Sequence, residues 1–208
     1  MVSDYRATKY CHPIVKLKEK KQSVADNIKK DHPKVKDMHT YIRANNKAYK
    51  QAFMKAYNFK CSYCGASIEL IPKEMFEIDH FICEKSFSTK AAAGHIENLV
   101  LSCHSCNHRK SGFEFPEAER DMLHPDNGEI MQIFERNDQY YIIIADESSC
   151  NETINRFYKL LGLDGEIRRL DFLLMNMIGL QRKVKDNDEI YSALGKAIDI
   201  LRVKRNMM

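Results

Sequence analysis

Two cysteine pairs, Cys61/Cys64 and Cys103/Cys106, have the spacing at which thiolates grip one zinc ion, and 38 residues lie between them. Zinc bound by all four would fix both ends of that stretch. Inside it stand Asp79-His80 and Asn98, which opens the apolar run Leu99-Val100-Leu101, and Asn107 follows the last cysteine directly. This set suits hydrolysis of a phosphodiester, which needs a deprotonated water aimed at phosphorus and a divalent cation to neutralise developing charge. Asp79 and Asn107 offer the hard oxygen donors that Mg²⁺ or Mn²⁺ prefers. His80 titrates near neutrality and can take the proton of the water.

Such groups work only if secondary structure brings them together. Phe76 to Phe81 and Asn98 to Cys103 read as two strands, and a helix should begin near Ser105 or Cys106. Neighbours on a strand point to opposite faces, so Asp79 and His80 can serve one site only where the strand ends or bulges. We place them at a strand end. Asn98, with an amide able to bond backbone on the facing strand, would hold that end open and orient the histidine loop. The connection from Cys83 to Ile96 is long for a hairpin, and leaves room for substrate contacts or a short helix.

The elements Cys61-Ser-Tyr-Cys64, Asp79-His80, Glu97-Asn98-Leu99 and Cys103-His-Ser-Cys106-Asn107-His-Arg109-Lys110-Ser-Gly112 resemble the zinc-ribbed branch of the HNH endonucleases, over roughly positions 61 to 112. The resemblance implies a ββα-metal core. It makes His80 the general base, Asp79 and Asn107 the ligands of the catalytic metal, and Asn98 the brace of the histidine loop. Asparagine rather than histidine at the third signature position is shared with the HNH domain of RNA-guided CRISPR nucleases, which favours Mg²⁺ over a tightly held transition metal. Arg109 and Lys110 are candidates for contact with nucleic-acid phosphate. His104 and His108 read as solvated helix-start histidines, and Cys11, Cys83 and Cys150 as reduced thiols without partners.

The flanks set the context. The 208 residues carry a net charge of +4, unevenly spread: Lys16 to Lys36 holds eight lysines against three acids, a run that favours a polyanion or forms a solvated helix face. From about Met38 to Tyr57 a helix should bury Ile42, Tyr49, Phe53 and Ala56 and turn Arg43, Lys47, Lys50 and Lys55 outward. After Pro116, strands at Ile130–Phe134 and Tyr140–Ile144 would form a hairpin. Ser149-x-x-Glu152 reads as a capping box, opening a helix with Ile154, Phe157, Tyr158 and Leu161 inward and Gly162 at its end. Two more helices, about Glu166 to Arg182 and Asp188 to Lys204, carry no catalytic constellation.

The expected fold is α+β: a basic helical region at 1–60, the core with its zinc knuckles at 61–115, and a hairpin with helices at 116–208. The size and layout resemble, more loosely, the small HNH effectors of bacterial anti-phage systems of the Septu and retron type. That resemblance implies DNA as substrate and a partner ATPase docking on the tail, since the chain lacks a phosphate-binding Gly-x-x-x-x-Gly-Lys-Ser/Thr loop. A homo-oligomer is a further expectation. So is a cytoplasmic location, because seven cysteines, four of them spoken for by metal, suit a reducing compartment, and no apolar run reaches membrane length. Two other readings use the same residues: a zinc ribbon that binds nucleic acid without cutting, and an RNA-cleaving effector or toxin woken by a partner.

Overall fold

The computed structural model describes residues 4–11, 13–43 and 47–208, with the side chain of Lys47 left out. Helix α1 (Leu17–Asp31) buries Val24, Ala25 and Ile28 at helical spacing against α3 (Lys47–Ala56) and keeps most of its lysines in water. Lys21 departs from the expected basic face. Its Nζ donates to the Leu99 carbonyl at 2.7 Å and pairs with Asp126, which also accepts from the Tyr57 hydroxyl.

The single helix expected from Met38 to Tyr57 is described in two pieces, α2 (Met38–Arg43) and α3. Residues 44–46 between them lie outside the described residues, as does the expected outward side chain of Lys47. Ile42, Tyr49, Phe53 and Ala56 are all buried.

Strand β1 (Phe76–His80) pairs antiparallel with β2 (Leu99–Cys103), and His80 stands opposite Leu99 at the open end. Between them the chain makes a short helix, α4 (Lys90–Ala93), capped by Thr89. Helix α5 (His104–Lys110) follows β2 without a break, so it starts a residue or two earlier than expected. The β-β-α unit packs α5 against both strands.

The remainder wraps this unit. After α6 (Glu117–Leu123), the expected strand at Ile130–Phe134 is instead a helical turn, α7 (Ile130–Ile133), and extended structure starts only at Phe134. Ile130, Ile133 and Phe134 are all buried, a spacing of three and four that one helical turn satisfies and alternation does not. Strands β3 (Phe134–Arg136) and β4 (Ile142–Ile144) then pair around a turn held by the Asn137 side chain.

Helix α8 (Glu152–Leu161) buries the four side chains named from sequence and ends at Gly162. Its cap is Asn151, whose side chain accepts from the Ile154 amide, rather than Ser149. Helices α9 (Glu166–Lys183) and α10 (Asp188–Asn206) form an antiparallel pair. One contiguous core runs from Tyr5 to Leu163 through all three sequence regions, with a small satellite of Leu174, Ile178 and Ile198 between α9 and α10. Among the described residues no helix is long and apolar enough to cross a membrane.

Candidate active site

The four cysteines meet in the interior, with their sulfurs all within 4.8 Å of one another and Cys64 Sγ 3.9 Å from Cys103 Sγ. A tetrahedron of thiolates about zinc has edges of about 3.8 Å, so the set fits the ion with little movement. The first pair sits on a tight turn in which Gly65 adopts φ 77° and its N–H donates to the Cys61 carbonyl. That turn is tied to β2 by the Ser62 amide, which donates to the Leu101 carbonyl at 2.7 Å. Arg168 of α9 is buried, with Nη2 3.4 Å from Cys106 Sγ and 3.2 Å from the Leu161 carbonyl. Zinc bound by four thiolates would carry net negative charge, and this guanidinium would offset part of it.

Tyr63, inside the first knuckle, joins the zinc end to the acid. Fully buried, it donates from its hydroxyl to Asp79 Oδ2 at 2.7 Å. Lys110 approaches the other oxygen of Asp79 at 3.4 Å. Burial dominates these partners and raises the Asp79 pKa to about 6. Lys110 is a correction to the expected phosphate contact: it is 1% exposed and donates to the carbonyls of His80 and Phe81. Those carbonyls at the end of β1 need donors, and α5 supplies one from its last turn.

His80 is the last residue of β1, at the strand end. Its ring is half-buried against His39 of α2, with centroids 4.2 Å apart. Burial, and then the neighbouring imidazole, lower its pKa to about 4, so it is neutral at ordinary pH. His39 is held by its Nε2, which donates to the Ile78 carbonyl at 3.1 Å. Asn98 brackets the chain just after His80: Oδ1 accepts from the Ile82 amide at 2.8 Å, and Nδ2 donates to the carbonyls of Ile82 and Ala93.

Asn107 donates from Nδ2 to Glu77, and Glu77 also accepts from His104 Nδ1 at 2.7 Å. Burial pushes the Glu77 carboxyl up, but these two donors more than offset it and leave its pKa below the usual range. Because Nδ2 is engaged, Asn107 Oδ1 is the end left for a metal.

Asp79, His80 and Asn107 line one cleft of about 590 Å³, together with Glu77 and Glu84 and, from the N-terminal helices, His39, Arg43 and Lys50. Neither Asn98, which is buried, nor Arg109, which is exposed on α5, lines it.

Sequence reading missed Glu77, Tyr63, His39 and the placing of Arg43 and Lys50 at this cleft. Two-residue alternation from Asp79 would have found Glu77. Nothing local signals the others, which are brought in by tertiary packing.

Two short antiparallel strands, a helix that leaves the second strand directly, and thiolates joining the hairpin to that helix define a zinc-ribbed ββα module with a polar cleft along its first strand. The HNH endonuclease family model matches residues 61–113, so this segment is an HNH domain. No curated protein and no solved structure matches the chain. An HNH domain supports a nuclease of the HNH type acting on nucleic acid, and its four buried cysteines are a set that could hold zinc.

Proposed function

We propose that the protein is a metal-dependent endonuclease that cuts DNA, with His80 as general base and Asp79 and Asn107 as ligands of Mg²⁺ or Mn²⁺. The observation that carries this reading is the convergence of a neutral imidazole and two hard oxygen donors in one cleft walled by Arg43 and Lys50. The divalent ion, when bound, supplies positive charge for the phosphoryl and leaving oxygens.

The rest falls to the chain. His80 takes the proton of the attacking water. Its low pKa makes it a weak base, and the negative charge of an incoming phosphate strengthens it by favouring the imidazolium. Asn98 holds the backbone on which His80 is carried, Glu77 turns the Asn107 oxygen outward, and Tyr63 with Lys110 fixes the carboxylate of Asp79. Arg43 and Lys50, with the exposed lysines of α1, meet the phosphate backbone. In this reading 1–60 grips substrate, 61–115 cuts, and 116–208 braces the zinc module. The size and layout, an HNH module followed by helices, support assignment to a bacterial defence system, and with no nucleotide-binding loop in the sequence any ATP dependence would come from a separate ATPase.

Purified protein is assayed on plasmid DNA and on RNA with Mg²⁺ or Mn²⁺, beside His80→Ala. Loss of the base should cost about a hundredfold to ten-thousandfold in rate, with unchanged melting and zinc content. Equal cutting by both proteins sinks the assignment of His80. Binding without cutting by the wild type favours the zinc-ribbon alternative, and cutting confined to RNA replaces the substrate.

A further inference from the structure

A second cavity, of about 460 Å³, lies on the far side of the zinc knuckle, where the N-terminal segment, the turn at Phe59–Lys60 and α9 meet. Its lining includes Lys9, Tyr10, Phe59, Lys60, Arg182 and Lys183. The segment is seated closely: Tyr10 backbone packs on α9 at Gly179, where a Cβ would come within 2.8 Å of the Tyr10 carbonyl oxygen.

Lys60 is 3% exposed, and its Nζ has no hydrogen-bond partner among the described residues. The nearby acid does not satisfy it: Glu69 Oε1 accepts from Arg182 Nη1 at 2.6 Å, and its buried Oε2 is likewise unpartnered among the described residues. Two further cations belong to the same cavity lining. The ammonium groups of Lys9 and Lys183 sit 5.5 and 5.6 Å from the centroid of the same Tyr10 ring.

A buried ammonium without a hydrogen-bond partner is costly. An oxyanion in the cavity relieves that cost. The same ligand can serve Glu69 if it brings a hydroxyl or a protonated phosphate oxygen, and Tyr10 with Phe59 offers an aromatic wall to a flat ring. The volume is that of an ordinary small-ligand site.

We propose that this cavity binds a mononucleotide, with its phosphate on Lys60, Lys183 and Lys9 and its base against Tyr10 and Phe59. Bound there, the ligand would staple the N-terminal segment and α9 to the zinc knuckle at a site separate from the cleft that holds His80. The inference stands whether or not the nuclease reading does.

The test uses the full-length, zinc-loaded protein, with thermal melting and calorimetric titration of inorganic phosphate and of AMP at constant ionic strength. At about a hundred times its dissociation constant, phosphate should raise the Tm by several degrees. AMP should bind at least about tenfold more tightly than phosphate, since each stacked base contributes on that scale. Lys60→Met should lose the ligand-induced shift and melt higher than wild type without ligand, because the uncompensated charge is gone. Lys183→Gln, at the rim, should weaken AMP severalfold while leaving the ligand-free Tm unchanged. Arg43→Gln, in the other cleft, should bind AMP like wild type. Three results overturn the proposal: no shift in the wild type, a full shift in Lys60→Met, or AMP no tighter than phosphate. A ligand-free Lys60→Met that melts below wild type also overturns it, since the ammonium would then be satisfied by the protein or by solvent.

Discussion

The zinc-closed segment and the last helix bury themselves in opposite ways. Between Cys61 and Lys110 the interior holds polar groups as well as apolar ones, among them Asp79, Asn98 and Lys110, which hydrogen-bond to Tyr63, to the Ile82 amide and to the His80 carbonyl. In α10 only Ile198 is fully buried, while Ile190, Ile200 and Val203 stand in water. The first region spends its packing on holding charged and amide groups in place, which is costly without partners and specific once they are supplied. The second adds a layer through a few apolar contacts and the ion pair from Arg205 to the buried Asp171. A reaction centre needs the first kind of interior, and an outer brace can be built from the second.

The largest test of that contrast is the metal. In the first region the four buried sulfurs could hold zinc, and its binding would then be folding free energy, on the order of 10 kcal/mol for sites of this type. Cys103→Ser is expected to unfold the module or leave it without cooperative melting, read by circular dichroism and elemental analysis. Asp79→Ala should retain about one zinc per chain and still melt cooperatively, at a cost of about 1–3 kcal/mol for leaving the Tyr63 hydroxyl and Lys110 short of a partner. Loss of zinc from Asp79→Ala would merge the two metal sites and end the distinction between brace and chemistry.

A smaller effect is expected at Asn98. Its side chain makes three hydrogen bonds to the backbone of Ile82 and Ala93, and Asn98→Ala leaves those groups short of partners at a cost of about 3 kcal/mol. Denaturant titration measures it, and the cutting rate should fall as well because His80 lies two residues before Ile82. Asn98→Asp keeps the acceptor for the Ile82 amide and loses both donors, so it should fall between. If stability drops but the rate does not, Asn98 is a structural clamp alone.

The same contrast explains what could be read from the chain. The cysteine cluster was legible because thiolate pairs at that spacing meet in one site, and the order of residue types singled out Asp79, His80 and Asn107, which line one cleft. The strands were legible because Ile78 and the run Leu99 to Leu101 are apolar on both sides of the pairing. Lys110 was misplaced, since no local pattern distinguishes a lysine that caps the carbonyls of His80 and Phe81 from one in solvent. His39 enters the cleft from α2 across 41 positions of sequence, and Lys21 leaves a basic run to meet Asp126. Both are settled by tertiary packing. The turn at Ile130–Ile133 was read with the wrong period, as short apolar runs often permit.

The smallest effects should come from α10, where two neighbouring isoleucines separate packing from exposure. Ile198 is 2% exposed and closes the satellite cluster with Leu174 and Ile178, so Ile198→Ala should cost about 2 kcal/mol. Because that cluster is separate from the main core, the cost should appear as faster hydrogen exchange in α9 and α10 while exchange in β1 and β2 stays at the wild-type rate. Ile200 is 70% exposed, and Ile200→Ser should change stability by less than about 0.5 kcal/mol in the isolated chain. If Ile198→Ala loosens β1 as much as α10, the brace and the reaction centre are one cooperative unit. The path for that coupling would then be Arg205 to Asp171 on α9, whose Arg168 reaches the Cys106 sulfur.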